Sequence, residues 1–214
     1  MKRARRWWLL WALWAGLGLA QADGLADLER FLQQTPQGRM AFTQVVSPPA
    51  SAGEAPRRSK TSSGEFAFLR PDRFRFQYLR PFEQTIVADG QRLWLYDVDL
   101  AQVTVRGQRE ALGQTPVALL TAAADLRALR QAFDLSAEAG TDGTNWVLAV
   151  PRQRDGQLDR LRIGFKAGQL SALDILDGFG QRSLITFGPM NAPASLKPAD
   201  FRFTPPSGVA VIQQ

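Results

Sequence analysis

From residue 64 to about residue 104, apolar and polar residues alternate almost without a break, the period-two signature of strands with one buried face. The clearest stretch is FLRPDRFRFQY, residues 68–78, where Phe74, Phe76 and Tyr78 share one face and Arg73, Arg75 and Gln77 the other. Interruptions fall at turn chemistry: Arg70-Pro71-Asp72, Arg80-Pro81 and Asp89-Gly90, the last a strong hairpin signal. Upstream, RMAFTQVV and GEFAFLR read as strands. Downstream, NWVLAV, LDRLRIGF, LSALDIL, RSLITF and FRF continue the pattern, with Asp155-Gly156 and Asp177-Gly178 near turns. The fold class is mainly β, about eleven strands by this reading, joined in order into one long antiparallel sheet. A sheet of that size must curl.

Two segments change period. In DGLADLERFLQQTPQG, Leu25, Leu28, Phe31 and Leu32 fall on one helical stripe, which predicts an amphipathic helix over 24–35. In QTPVALLTAAADLRALRQAF, Thr115 can cap one helix, with Pro116 suited to its first turn, and Asp125 can cap another. The apolar positions there are Leu119, Leu120, Leu126 and Leu129. About three helices are thus available to cover the concave face of the sheet. Between the first two strands, residues 47–63 are rich in Pro, Ser and Ala and read as a flexible loop insert; its Arg57, Arg58 and Lys60 also allow a basic docking patch.

The N-terminus has its own grammar. MKRARR is basic, WWLLWALWAGLGLA is apolar, and Ala20-Gln21-Ala22 is a small-x-small site, which together predict a signal peptide over 1–22 cleaved after Ala22. The apolar run is shorter than the roughly 20 residues of a membrane span. Residues 23–214 then form a single domain. Loss of Lys2, Arg3, Arg5 and Arg6 lowers the formal charge from +6 to +2. That removes the global reason to expect nucleic acid, so the Arg/Phe alternation reads first as a half-buried strand.

The chain has no Cys and no His. Disulfides, thiol nucleophiles, His-based triads and the usual zinc sites are excluded, and no metal or cofactor is expected. No Gly-x-Ser-x-Gly elbow occurs, and no enzymatic activity is expected. A lipid anchor at the mature N-terminus would need a Cys there, so the protein is expected to diffuse freely beyond the inner membrane.

One residue breaks the parity. Phe66 and Phe68 share a face in EFAFLR, and the next residue of that parity is Arg70. Either it is held inside by carbonyl partners, which suit its planar fork of donors, or it sits at the strand end and snorkels to water. The rings of Phe66, Phe68, Phe74, Phe76 and Tyr78 are equally two-sided in meaning. They could fill a barrel core, or floor a trough lidded by the leucine stripes of the helices.

FTQVV, the block GEFAFLRPDRFRFQYLRPFEQTIVADGQRLWLYDVDLAQV, QTPVALL and FRFTPPSGV resemble, in the same order, the outer-membrane lipoprotein carrier family LolA. The resemblance implies an unclosed antiparallel β-barrel with a helical lid over an apolar concave face. It implies a periplasmic, monomeric chaperone that binds the acyl chains of lipoproteins. Its partners would be acylated lipoproteins, an inner-membrane lipoprotein-releasing ABC transporter and an outer-membrane lipoprotein receptor; the receptor shares the fold but needs an N-terminal lipidated Cys. The family's lid-latching arginine falls on Arg70. Cavity-lining positions fall on Phe74, Phe76 and Tyr78, and by the same parity and stripes on Phe66, Phe68, Leu28, Phe31, Leu32, Leu119 and Leu120. Phe76 stands where the family often has Trp, and the 47–63 insert is longer than usual. A carrier of another lipid or hydrophobic ligand on the same fold is the alternative.

Overall fold

Helix α1, Gly24–Gln34, buries Leu28, Phe31 and Leu32 on the stripe set out above, with Leu25 at its margin. The computed structural model describes residues 24–49, 58–108, 120–121, 123, 125–140, 142–153, 157–191 and 195–214. The expected signal peptide and Ala22 lie outside the described residues, as do Asp155-Gly156, Thr115, Pro116 and Leu119.

After α1 come β1 (Gln37–Ser47), β2 (Lys60–Leu69), β3 (Arg73–Arg80), β4 (Gln84–Asp89), β5 (Arg92–Asp97) and β6 (Gln102–Gly107). Helix α2 (Leu126–Ala132) precedes β7 (Phe133–Ala139), β8 (Thr144–Pro151), β9 (Leu158–Lys166), β10 (Gln169–Asp177), β11 (Arg182–Phe187) and β12 (Ala210–Gln213). All twelve strands form one sheet in the order β12-β6-β5-β4-β3-β2-β1-β11-β10-β9-β8-β7. Neighbours are antiparallel except β12 with β6. The end strands β12 and β7 do not pair with each other, so the curled sheet is an unclosed barrel.

The expected strands are present with one exception. FRF is not a strand: Pro198–Phe201 is a 3-10 turn, and Phe201 and Phe203 turn their rings to the convex face of the sheet. Strands β7 and β12 were not foreseen, which gives twelve strands among the described residues against about eleven expected. Asp125 caps α2, its Oδ1 accepting from Ala128 N at 2.8 Å. Two α-helices are set out in full among the described residues, against about three expected. Pairing also reaches into the expected 47–63 loop from both sides: Ser47 ends β1, and Lys60 to Ser63 belong to β2, in register with Val46, Val45, Gln44 and Thr43. A ladder partner gives those polar residues a strand without any buried face of their own. Residues 50–57 of that insert lie outside the described residues.

Elements pack on both faces of the sheet. Inside, α1 packs on β7 to β10, with Phe31 between Phe68 (5.8 Å between centroids) and Phe165 (5.9 Å). Outside, residues 195–203 cross β2 to β5 as a strap, burying Leu196 and Phe201 on Ala67 and Val87 and setting Phe203 5.7 Å from Trp94.

Candidate functional site

Period-two geometry sends Phe66, Phe68, Phe74 and Phe76 to the concave face, where all four are buried in one cluster with Leu28, Phe31, Leu32 and Leu120. Phe66 stacks on Phe76 at 4.4 Å, and Phe42 meets Phe76 edge-on at 5.2 Å. Every lining residue expected from sequence is therefore brought together, apart from Leu119, which lies outside the described residues. Others were not foreseen as part of this surface: Met40, Phe42, Phe133, Phe165, Leu173 and Phe187. The alternation in RMAFTQVV and LDRLRIGF could have found Met40, Phe42 and Phe165, since strand parity places them inward. Among the described residues, these rings and leucines pack directly against one another across the concave face.

Arg70 settles inward. Its Nε donates to Thr35 O at 3.0 Å and its Nη1 to Ala123 O at 3.1 Å. Thr35 directly follows α1, where helical carbonyls lack intrahelical partners and carry negative partial charge, so a guanidinium is well matched to that end. The plane of the group also lies over Phe31 (5.1 Å) and Phe68 (5.7 Å). Nη2 is buried with no hydrogen-bond partner among the described residues. Burial pushes the Arg70 pKa down to about 10, so the group remains charged at neutral pH. One side chain thus ties β2 to the end of α1 and to residue 123, the residue that precedes the α2 cap by two.

Two polar arrangements escaped the sequence reading. Asp27, buried on α1, accepts from Arg30 Nη2 at 2.8 Å and from Asn145 Nδ2 at 2.7 Å, which pins the start of the helix to β8. At the hairpin end of the concave face, the half-buried Tyr78 donates its hydroxyl to Gln44 Oε1 at 2.8 Å, and Gln44 Nε2 donates to Ser183 Oγ at 2.6 Å. Burial pushes the Tyr78 pKa up to about 12, keeping the phenol neutral. Among the described residues no cluster of three or more His, Cys, Asp or Glu could hold a metal ion.

The architecture and the interior together define a class: a lidded, unclosed β-barrel whose concave wall is mostly apolar and whose cover is fastened by a few directional bonds. Residues 35–204 match the family described as outer membrane lipoprotein carrier protein LolA. The chain is 54% identical over 201 residues to an outer-membrane lipoprotein carrier protein of Albidiferax ferrireducens, covering 92% of this chain and 94% of that one. It is 45% identical over 214 residues to one of Methylibium petroleiphilum, covering 100% of both. The fold is shared with an uncharacterized conserved protein of known structure from Thermus thermophilus, at a TM-score of 0.51 and 11% identity over 89% of this chain and 97% of that one. The chain belongs to the LolA family.

Proposed function

We propose that this protein is a periplasmic carrier that shields the acyl chains of lipoproteins in its concave trough, taking them from an inner-membrane ABC transporter and handing them to an outer-membrane receptor. The observation that carries the reading is the pairing of an apolar concave wall around Phe66, Phe68, Phe74 and Phe76 with a cover held by Arg70 through two carbonyls. The name of these relatives, outer-membrane lipoprotein carrier protein, points the same way.

Burial of a CH₂ is worth about 0.8 kcal/mol, so one chain of about 15 carbons represents on the order of 10 kcal/mol of unfavourable contact with water. Crossing an aqueous space needs that surface covered. Release needs the cover to be reversible. Phe66, Phe68, Phe74, Phe76 and Tyr78 supply the wall, and Leu28, Phe31, Leu32 and Leu120 the underside of the cover. Arg70 is the latch: its bonds hold α1 and residue 123 down, ligand entry breaks them, and their recovery favours discharge. The N-terminal 22 residues direct export and are removed.

The test is to incubate the purified mature protein with inner-membrane vesicles bearing the transporter and a triacylated lipoprotein. A soluble one-to-one complex is expected after ATP addition. Lipoprotein that stays in the vesicles, or copurification of a different lipid as the sole ligand, would overturn the reading.

A further inference from the structure

The concave face is not uniformly apolar along its length. From the Arg70 end the paired positions run Phe68, Phe74, Ala88 and Leu93, then Phe66, Phe76, Ile86 and Leu95. At the next paired row the chemistry changes across β3 to β5, where Tyr78 lies opposite Gln84 and Gln84 opposite Asp97, while β6 is polar in all three rows, with Arg106, Thr104 and Gln102. On β1 and β2 the corresponding end carries Gln44 opposite Ser62. The Tyr78, Gln44 and Ser183 bonds tie this belt together. On the flank under α1 the change does not occur, where Ile175, Leu161, Ala149 and Leu135 follow one another in register. The belt borders a cavity of about 600 Å³ that opens at the tips of the β3–β4 and β5–β6 hairpins. Pro81, Phe82 and Leu100 form its apolar side, and Asp97 and Asp99 are the charged residues that line it.

We infer that this belt is the seat of the polar junction of the cargo, the ester- and amide-linked head from which the acyl chains depart, and that it selects neutral heads over phosphate-bearing ones. The inference rests on the carrier function proposed above. Ester and amide carbonyls need donors, and an amide N–H needs an acceptor; Gln44, Ser62 and Gln84 carry both kinds of group. A head sealed against purely hydrocarbon walls would leave those groups unsatisfied, a cost of the same order as a lost hydrogen bond each. The charge of the lining adds discrimination. Two carboxylates, with no Lys or Arg among the described residues that line the cavity, repel a phosphodiester and tolerate a neutral diacylglyceryl head. Phospholipids are the commonest competitors for an acyl-binding trough at a membrane, so that repulsion acts against the wrong guest. The acyl chains then extend from the hairpin end toward Arg70, and the peptide leaves past Phe82 and Leu100.

The mature protein is titrated with three ligands: a synthetic triacylated cysteinyl peptide, a phosphatidylglycerol of matching chain length, and an uncharged hydrocarbon fluorophore. Gln84→Leu is expected to weaken the lipopeptide about fivefold, the loss of about one hydrogen bond, and to leave the fluorophore unchanged. Asp99→Lys, at an exposed position, is expected to narrow the preference for lipopeptide over phosphatidylglycerol by about fivefold at low salt. Equal weakening of all three ligands by Gln84→Leu, or no change in the preference on Asp99→Lys, overturns the junction site while leaving the carrier function standing. A wild-type protein that binds the fluorophore and not the lipopeptide overturns both.

Discussion

Replacing Arg70 by Leu should leave the global stability nearly unchanged and yet free the end of α1. Two charge-assisted hydrogen bonds, to Thr35 O and Ala123 O, are worth about 1.5–3 kcal/mol each, and the contacts over Phe31 and Phe68 add about 1 kcal/mol. Against them stands burial of the charge. A pKa held near 10 instead of 12.5 corresponds to about 3 kcal/mol at most, reduced by the part of the group that stays wet. The partnerless Nη2 costs about 1–3 kcal/mol more. The opposing sums nearly cancel, and Leu adds apolar contact in an apolar place. Urea denaturation of Arg70→Leu should therefore give a free energy of unfolding within about 2 kcal/mol of wild type. Hydrogen exchange should tell a different story locally, with the amides of the last turn of α1, Thr35 among them, exchanging at least about tenfold faster. A loss of more than about 4 kcal/mol would make Arg70 a core support and not a latch. Unaltered exchange in α1 would remove its hold on the helix.

Asp27→Ala should cost about 2 kcal/mol and speed exchange along the first turns of α1, because Asn145 Nδ2 and Arg30 both lose the buried acceptor; an unchanged denaturation midpoint would mean α1 is seated by its apolar stripe alone. Tyr78 gives a signature at high pH. Its folded pKa of about 12 lies above the ordinary value of 10, so its contribution is complete below pH 10 and is lost as pH rises from 10 to 12, by at most about 2–3 kcal/mol. Tyr78→Phe should remove that part of the alkaline fall in stability, and an identical fall in both proteins would refute the burial of the phenol.

The meander was legible because two independent signals agreed along it. Parity set the faces, and turn residues set the breaks: at Asp89-Gly90 the glycine takes a positive φ of 101°, while the Asp89 carboxylate accepts from Gln91 N and Arg92 N. Strand β7 was not legible, since FDLSAEA is small, polar and half made of helix formers; its state is set by pairing with β8. Strand β12 is four exposed residues that owe their conformation to β6. In FRF the alternation was real and the conclusion wrong, because the rings of Phe201 and Phe203 bury against the back of the sheet without joining its ladder. The aromatic wall followed from parity alone. Asp27 with Asn145, and Gln44 with Ser183, are contacts between residues more than a hundred positions apart, and no local pattern encodes them. Whether the interior was full or hollow could not be read either, since a ring that packs against a ring and a ring that waits for a ligand have the same neighbours in sequence.

The strap of residues 195–203 makes the shell unequal in stiffness. Strands β2 to β5 are clamped from front and back, by the inner rings on one side and by Leu196, Phe201 and Phe203 on the other. Bending that wall would strip two hydrophobic layers at once. The opposite flank, β7 to β10, is covered among the described residues by α1, with the short α2 against β7. By this packing the aromatic wall is the stiffer side of the shell, and an outward displacement on the α1 side would uncover fewer hydrophobic layers.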